Sequence, residues 1–250
     1  LSKGTSMLCL IDADIVVYRI GFTTEDVDAA IASIRTKELV DQILAEVDAT
    51  SYKLFLTEEN DPSAFRRQIY PEYKAHRIKP KPKWYQEIRA FLQLEYNAEV
   101  CTEIEADDAL GIEQTAHAVV YHSMVLEGQQ EGCSPSIICS IDKDLKQIRG
   151  HHYNFVKKEL TYISQEEALY NFYSQLLIGD SSDNIKGVWK CGPVKAAKIL
   201  EGTNTEQEMF NRVRETYNND IEMLMNGRIL WIWKQPNDDW QQYWDRLTAA

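Results

Sequence analysis

The stretch LCLIDADIVVY at residues 8–18 opens the pattern from which the fold follows. Its first four residues, 8–11, are apolar and end at Asp12, which is typical of a buried parallel strand that presents a polar group at its carboxyl end. Further apolar runs predict strands at residues 52–56, 98–101 and 136–140. Periodicity over residues 24–48 predicts one or two amphipathic helices. Strands that alternate with helices predict an α/β fold with a mainly parallel central sheet and helices on both faces.

Composition describes an ordinary globular chain of 250 residues, 44% of them hydrophobic, with a formal net charge of −12. No apolar run approaches the roughly 20 residues that a membrane span needs. Residues 1–7 lack the basic-then-apolar order of a signal peptide, so a cytoplasmic location is expected. A helical pattern beyond residue 176 predicts two units, an α/β core at 7–175 and a helical region with an aromatic C-terminal cap at 176–250.

Five cysteines are scattered along the chain without a Cys-x-x-Cys pair, which indicates neither a disulfide framework nor a zinc site. Cys9, Cys101 and Cys139 lie in apolar runs and are expected in the core. The chain also lacks a GxxxxGK[ST] loop, which excludes most ATP-driven enzymes.

Nine carboxylates lie in short segments, mostly where a strand ends or a helix begins: Asp12, Glu58, Glu105, Asp107, Asp108, Asp142, Asp144, Asp180 and Asp183. The carboxyl ends of parallel strands meet at one edge of a sheet, so these side chains are expected to converge. Carboxylates 5 Å apart would repel by roughly 3 kcal/mol per pair at an effective dielectric near 20. Divalent cations with oxygen ligands remove that repulsion, so the pattern predicts a metal site. For residues 105–108 alone, capping of a helix N-terminus is the simpler explanation.

A basic segment at residues 66–90, here called the basic arm, has the opposite charge from the chain as a whole. Eight Lys or Arg residues stand there against two Glu residues, a net charge of +6. A basic arm beside an acidic pocket suits a bound polyanion, although a solvated basic helix explains the charge equally well. The KPKPK run at residues 79–83 is expected to be an exposed loop, because each proline removes an amide donor. Residues 127–134, with two glycines, are expected to form another loop.

Residues 187–200, GVWKCGPVKAAKIL, predict a glycine-marked hairpin that enters a helix at Pro193. Four tryptophans follow within residues 229–247. They suit either base stacking or an aromatic cap, and apolar alternation favours a cap docked through a short strand near residues 230–232.

Taken together, E-x-D-D at 105–108, D-K-D at 142–144, G-D-x-x-D-N at 179–184 and YPEYKAHR at 70–77 resemble, in order and spacing, the flap endonuclease and 5′→3′ exonuclease family. The resemblance runs from about residue 8 to residue 200 and is nearest to phage replication exonucleases and the 5′ nuclease domain of bacterial DNA polymerase I. It implies a hydrolase that cleaves DNA phosphodiester bonds, as a 5′→3′ exonuclease or structure-specific flap endonuclease, by a two-metal-ion mechanism. Its place would be in DNA replication, where RNA primers or flaps are removed.

The resemblance also implies roles for individual residues. It assigns a first metal cluster to Asp12, Glu105, Asp107, Asp142 and Asp144, and a second, partly through water, to Asp108, Asp180 and Asp183. Glu58, in preference to Glu59, matches a carboxylate after the second strand. The implied metals are two Mg2+ ions, with Mn2+ as an alternative. Lys74 and Arg77 would reach the scissile phosphate, Tyr73 would lie beside a flipped terminal nucleotide, and Arg66 would contact a phosphate.

The hairpin, with Gly187, Gly192 and Lys195, resembles a helix-hairpin-helix that grips duplex phosphates around a K+ ion. It departs from the family in carrying Trp189-Lys190-Cys191 where Pro-Gly-Ile is usual. The implied partners are DNA with 5′ ends, flaps or nicks, with RNA/DNA hybrids as a further substrate class, and no membrane. A monomer is expected, in the host cytoplasm if the chain is phage-encoded.

Two other functions compete with this interpretation. A PIN-type ribonuclease uses a similar sheet with fewer acids, but neither the glycine hairpin nor YKAHR is expected there. A non-catalytic DNA-binding module would use the acids only as helix caps. The residues leave open whether exonuclease or flap endonuclease activity dominates.

Overall fold

The structure is a computed structural model and describes residues 7–77, 80–126 and 135–249. Its strands are β1 (Leu8–Asp12), β2 (Ser51–Thr57), β3 (Glu99–Cys101), β4 (Ser136–Cys139), β5 (Gly150–Asn154), β6 (Glu159–Ile163), β7 (Gly179–Asp180) and β8 (Ile185–Lys186). Its helices are α1 (Ala13–Thr23), α2 (Ala29–Glu46), α3 (Phe65–Ile69), α4 (Tyr85–Tyr96), α5 (Ala106–Leu126), α6 (Gln165–Ile178), α7 (Pro193–Leu200), α8 (Glu206–Tyr217), α9 (Asp220–Leu230) and α10 (Gln241–Ala249). A 3-10 helix covers Asp144–Gln147.

A six-stranded sheet forms the centre, in the order β3-β2-β1-β4-β5-β6. The first five strands are parallel, and β6 pairs antiparallel with β5. The predicted α/β fold with a mainly parallel sheet is therefore confirmed. Apolar runs had indicated β1 to β4, whereas the β5–β6 hairpin was missed. Four of the five residues of β6 are exposed, so that edge strand has no apolar run to reveal it.

Successive residues of β1 point to opposite faces of the sheet, as strand geometry requires. Cys9 and Ile11 pack with α1, α2 and α4, and Leu8 and Leu10 pack with α5 on the other face. The helices on both faces thus follow from a central strand that is apolar on each side. The predicted helical stretch at residues 24–48 corresponds to α2.

The helices after β6 surround a second, aromatic core, which includes Phe172, Phe210, Trp231 and Trp240. The four tryptophans of the C-terminal segment pack in this core, as an aromatic cap would, but the predicted strand near residues 230–232 is wrong. Helix α9 continues to Leu230, and the next residues have no regular structure. The Trp231 ring packs 4.8 Å from that of Phe172, and its indole nitrogen donates to Asp238 at 2.9 Å, so side chains rather than strand pairing dock this segment.

The predicted division after residue 175 falls inside α6, which extends to Ile178. Phe172, before that division, already belongs to the aromatic core, so a two-unit organisation with this boundary stays a prediction. Cys9, Cys101, Cys139 and Cys191 are buried free thiols, whereas Cys133 and the predicted loop at 127–134 lie outside the described residues. No helix of the described chain is long and apolar enough to cross a membrane.

Candidate active site

An acidic pocket of about 360 Å³ opens at the carboxyl ends of β1, β2 and β4. Seven of the nine predicted carboxylates line it: Asp12, Glu58, Glu105, Asp107, Asp142, Asp144 and Asp183. Asp14 and Glu59 line it as well. The structure therefore brings seven of the nine predicted carboxylates together, because parallel strands place their final residues at one edge of the sheet. A larger groove of about 1170 Å³ lies beside α6 and α7, but these carboxylates do not line it.

Hydrogen bonds hold the carboxylates from β1 and from the segment after β4 in one network. Asp12 caps α1 by accepting from the Ile15 amide at 3.2 Å, and its other oxygen accepts from the Ser140 hydroxyl at 2.7 Å. The Asp142 amide donates to the same Ser140 hydroxyl at 3.0 Å, and the Asp144 amide donates to Asp142 at 2.8 Å. Ser140 thus links two acidic segments that are far apart in sequence.

Burial and mutual repulsion raise the pKa values of several carboxyls in this pocket, including those of Asp12, Asp107 and Asp144. Burial, followed by the charge of Asp14, raises the pKa of Asp12 to about 7. Burial, followed by the charges of Asp142 and Asp180, raises the pKa of Asp144 to about 7. Burial and the charge of Asp12 raise the pKa of Asp107 well above its usual value. The pocket therefore contains negative charge that its own residues leave uncompensated.

Glu105 behaves differently, because cations reach it. Although burial opposes ionisation, Lys74 and Arg66 hold the pKa of Glu105 at about 2. The Lys74 ammonium donates to Glu105 at 2.6 Å, and the Tyr73 hydroxyl donates to its other oxygen at 2.8 Å. Arg77 forms an ion pair with Asp183. The basic arm therefore places Lys74, Tyr73 and Arg77 directly on the acidic pocket.

The structure supports a different role for Tyr73 from the expected one. Its side chain is buried in the aromatic core, so the ring offers no open face to a nucleotide. Its hydroxyl orients Glu105 and lies 3.1 Å from Asp183. Lys74, the next residue, has a positive φ of 55° and donates its amide to the Asp183 carbonyl at 3.1 Å. This uncommon backbone conformation turns the lysine into the pocket.

Two predicted site residues, Arg66 and Asp108, lie elsewhere. Arg66 is 4% exposed, and its guanidinium donates to both Asp108 oxygens, at 2.5 and 2.8 Å. It also donates to the carbonyls of Ile229 and Trp231. Asp108 is fully buried and further accepts from the amides of Glu105 and Trp233. Neither residue lines the pocket, although the Arg66 guanidinium lies 3.5 Å from Glu105 at its edge. This arrangement favours a structural role for the pair over a phosphate contact by Arg66 and a metal contact by Asp108.

The remaining predicted ligands differ in the hydrogen bonds and ion pairs that their carboxylates already make. Asp180 is 7% exposed and does not line the pocket, although its charge contributes to the raised pKa of Asp144. It accepts from the amide and the hydroxyl of Ser182 at 2.7 and 2.6 Å. Glu59 forms an ion pair with Lys81 and accepts from Gln86 at 2.6 Å. Glu58 accepts from the Glu59 amide at 3.0 Å and has no ion pair within the described residues. This difference supports the preference for Glu58 over Glu59.

Sequence reasoning missed a partly buried network at the edge of the pocket. Asp14 forms an ion pair with Arg89 at 3.2 Å and accepts from the Thr57 amide at 3.0 Å. The Thr57 hydroxyl in turn accepts from the Ala106 amide at 3.0 Å. The network fixes the end of β2 and the start of α5 relative to α1. Its only sequence signal was the position of Asp14 two residues after Asp12, and Arg89 had been counted as part of the basic arm.

Hard divalent cations fit this donor set. Within residues 7–77, 80–126 and 135–249, no three His, Cys, Asp or Glu side chains are arranged to hold one ion between them as they stand. The chemistry of the pocket nevertheless suits such an ion. Asp12, which is buried, and the half-buried Asp107 and Asp144 line one pocket and have raised pKa values. A cation bound there would lower those pKa values and offset the repulsion.

The two predicted hairpin glycines have different surroundings. A Cβ on Gly187 would lie 2.3 Å from the Ile178 carbonyl carbon and 2.4 Å from the Gly179 nitrogen, so this glycine is required by the fold. Gly192 is the N-cap of α7, and a Cβ there would meet nothing within 4 Å. Lys195 is exposed on the first turn of α7. Gly192 and Lys195 are therefore accessible to a ligand.

Comparison with known proteins places the chain in a family. A model of the 5′-3′ exonuclease, N-terminal resolvase-like domain matches residues 7–173. The chain is 26% identical over 237 residues to a 5′-3′ exonuclease of Buchnera aphidicola, covering 88% of this chain and 75% of that protein. It is 28% identical over 220 residues to DNA polymerase I of Bacillus caldotenax, covering 77% of this chain and 23% of that protein. A solved structure of the T5 5′-exonuclease with zinc bound is similar in fold, with a TM-score of 0.62 and 13% identity over 90% of this chain and 89% of that one. Since the family match spans more than half of the chain, the protein belongs to the 5′-3′ exonuclease family defined by this resolvase-like domain.

Proposed function

We propose that the protein is a metal-dependent 5′ nuclease that hydrolyses DNA phosphodiester bonds, as a 5′→3′ exonuclease and a structure-specific flap endonuclease. The observation that supports this most is the group formed by Asp12, Asp107 and Asp144, whose carboxyls line one pocket at the edge of the sheet and have raised pKa values. Family membership and the names of the relatives support the reaction class. The work suggested for it is removal of RNA primers or flaps during DNA replication.

The proposed ligands come from the family resemblance, and their presence in or next to one pocket supports them. A first Mg2+ ion would be held by Asp12, Glu105, Asp107, Asp142 and Asp144. A second would be held by Asp183, with Glu58 and, through water, Asp180. Mn2+ suits the same oxygen ligands. When bound, two such cations supply Lewis-acid stabilisation of the attacking and leaving oxygens of an in-line displacement.

The basic arm supplies the complementary charge. Lys74 lies 2.6 Å from Glu105 and 3.9 Å from Asp183, at the mouth where a phosphate would enter. Arg77 is exposed beside it and pairs with Asp183. When the substrate binds, the side chains of Lys74 and Arg77 transfer their hydrogen bonds from the carboxylates to the scissile phosphate. There they offset the negative charge that develops during the reaction. The Tyr73 hydroxyl and the Ser140 hydroxyl keep Glu105 and Asp12 oriented.

The hairpin before α7 would hold the duplex. The backbone amides at the start of α7 and the exposed Lys195 could bind a DNA phosphate. A K+ ion at this hairpin would contact the same phosphate. The proposed substrates are DNA with 5′ ends, flaps or nicks, and RNA/DNA hybrids. We propose a monomer that acts in the cytoplasm, or in the host cytoplasm if a phage encodes it.

One set of substrates tests the function. A 5′-flap duplex, a nicked duplex and a circular single strand are each incubated with magnesium, with manganese, or with EDTA. We expect cleavage of the flap and the nicked duplex with either metal and none in EDTA. A requirement for a free 5′ end would leave the circle intact.

Two results would favour the competing functions. Cleavage of a single-stranded RNA of the same sequence, with all DNA left intact, would favour a PIN-type ribonuclease. DNA binding that is indifferent to magnesium, without cleavage of any substrate, would favour a non-catalytic binding module. Asp144→Asn serves as the matched control, because it removes one pocket charge while keeping the size of the side chain.

A further inference from the structure

The loop between β7 and β8, residues 181–184, lies against the part of the basic arm that carries Lys74. The Lys74 amide donates to the Asp183 carbonyl at 3.1 Å. In the opposite direction, the side-chain nitrogen of Asn184 donates to the Glu72 carbonyl at 3.1 Å, although these two residues are 112 positions apart in sequence. The loop thus holds the backbone of the arm at two points that are two residues apart.

The Glu72 carbonyl that Asn184 contacts also closes the turn in which Lys74 lies. It accepts from the Ala75 amide at 3.1 Å, so Tyr73 and Lys74 are the two central residues of a tight turn. The φ of Lys74 is 55°, in the left-handed region that costs free energy for a residue with a Cβ. Residues 70–77 contain no helix or strand that would impose this conformation. Contacts with the loop therefore stabilise a turn that the backbone by itself disfavours.

Asn184 suits this contact in its backbone as well as in its side chain. Its own φ is 64°, and asparagine adopts the left-handed region more readily than most residues do. Its carbonyl accepts from the Tyr70 hydroxyl at 3.3 Å, so the arm is bonded to it a second time. Asn184 is half-buried and does not line the acidic pocket. Its effect on a reaction in that pocket would therefore pass through the arm.

We propose that Asn184 is a positioning residue, which places the Lys74 ammonium at the scissile phosphate by fixing the Glu72 carbonyl and the turn that it closes. This inference rests on the proposed function, because it explains how a cation of the same site is held. In the free protein the Lys74 ammonium is also held by Glu105, at 2.6 Å. When that hydrogen bond passes to the phosphate, the bonds to the loop still fix the Lys74 backbone. The ammonium therefore meets the phosphate from a preorganised position.

Asn184→Gly removes the side-chain hydrogen bond and keeps the left-handed backbone, which glycine adopts without strain. Single-turnover cleavage of a 5′-flap is measured over a range of enzyme concentrations. We expect the maximal rate to fall about five- to tenfold, the size that the loss of one hydrogen bond predicts. The enzyme concentration that gives half of the maximal rate should change by less than twofold.

Asn218→Gly is the matched control. Asn218 is exposed at the C-cap of α8 and also has a left-handed φ, of 50°, so its replacement changes the backbone freedom in the same way. Asn218→Gly should cleave the flap at the rate of the unaltered protein. A deficit of equal size in both glycine variants would overturn the inference.

A double-mutant cycle tests whether Asn184 acts through Lys74. In a Lys74→Met background, Asn184→Gly should lower the rate by no more than about twofold, because the ammonium that it positions is gone. The same five- to tenfold loss in both backgrounds would show that the two residues act independently, and it would overturn the inference.

Asp183 is the neighbour of Asn184 in the same loop, so an effect through a bound metal must be separated. We expect the rate deficit of Asn184→Gly to persist at saturating Mg2+. Calorimetric titration without DNA should give the same number of bound ions and the same affinity as in the unaltered protein. Recovery of the full rate in excess Mg2+ would overturn the role of the turn, in favour of an effect on Asp183.

Limited proteolysis reports the turn without any cleavage of DNA. Trypsin cuts after lysine only where the backbone can open, so the bond between Lys74 and Ala75 measures how firmly the turn is held. We expect cleavage at this bond, identified by mass spectrometry, to be at least threefold faster in Asn184→Gly and unchanged in Asn218→Gly. Equal cleavage in Asn184→Gly and the unaltered protein would overturn the inference.

The two assays separate failure of the inference from failure of the proposed function. If the 5′-flap is cleaved but Asn184→Gly has the normal rate and the normal proteolysis, the positioning role fails and the proposed function stands. If no substrate is cleaved while Asn184→Gly opens the bond after Lys74 to trypsin, the proposed function fails and the structural link between Asn184 and the turn stands.

Discussion

The guanidinium of Arg66 and the carboxylate of Asp108 form a buried, two-pronged ion pair, with nitrogen to oxygen distances of 2.5 and 2.8 Å. The pair joins α3 to the first turn of α5. It also joins both to the C-terminal segment, through the carbonyl of Trp231 and the amide of Trp233. Asp108, which resembled a metal ligand, thus takes part in a structural link at the start of α5, next to Glu105 and Asp107.

We predict that Asp108→Asn lowers the free energy of unfolding by about 3–5 kcal/mol, because it leaves the Arg66 charge buried without its partner. Urea unfolding in EDTA measures this loss. The number of Mg2+ ions bound, from calorimetric titration at low temperature, should not change. A double variant, Arg66→Leu with Asp108→Leu, should be more stable than Asp108→Asn. An Asp108→Asn protein of normal stability that binds one ion fewer would restore Asp108 as a ligand.

The raised pKa of Asp144 predicts a pH-dependent stability. Burial and the charges of Asp142 and Asp180 place this pKa at about 7, whereas an aspartate in an unfolded chain titrates near 4. Between those values the folded protein holds a proton that the unfolded chain has lost. The stability from this group is thus present below about pH 4 and is lost as the pH rises through 7.

Asp144→Asn removes that titration. In EDTA, the unaltered protein should lose stability between pH 5 and pH 8 that the variant does not lose. The free energy of unfolding of the variant minus that of the unaltered protein should therefore rise by about 1–3 kcal/mol over this range. Urea unfolding at each pH measures the difference. Saturating Mg2+ should stabilise the unaltered protein more than the variant at pH 8. A difference that is constant with pH would contradict the burial of a repelled carboxyl here.

Lys74 should act on turnover more than on binding. We expect Lys74→Met to reduce the single-turnover rate on a 5′-flap by about 100-fold or more, since it removes a charge at the scissile phosphate, and to change the affinity only slightly. Lys157→Met, in the turn between β5 and β6, is the control. An unaltered rate combined with weaker binding would instead make Lys74 a residue that positions the substrate.

Gly111 should tolerate no side chain. A Cβ there would lie 2.3 Å from the Trp233 carbonyl oxygen and 2.9 Å from Ile148 Cδ1. We expect Gly111→Ala to lower the free energy of unfolding by about 1–3 kcal/mol through overpacking. Gly192→Ala, where a Cβ has open space, is the matched control and should unfold at nearly the same urea concentration as the unaltered protein. Equal stability of the two variants would contradict the close packing of the C-terminal segment on α5.

Much of the candidate site could be predicted because it depends on local patterns. An apolar run that ends in a carboxylate indicates both a buried parallel strand and the edge at which its last residue emerges, as for Asp12. Lys74 and Arg77 were found because they stand in a motif of fixed spacing. Asp14 and Arg89 were missed, since no local pattern distinguishes a partly buried ion pair between helices from surface charge.

By itself, the sequence determined the parallel strands, the edge at which the carboxylates gather and the family, because these depend on hydrophobic periodicity and on spacing along the chain. Only the tertiary structure decided which carboxylates enter the pocket. Asp107 and Asp108 are neighbours in sequence, but successive residues of a helix point about 100° apart. The packing of α5 against the sheet and the C-terminal segment therefore turns Asp107 towards the pocket and Asp108 towards Arg66.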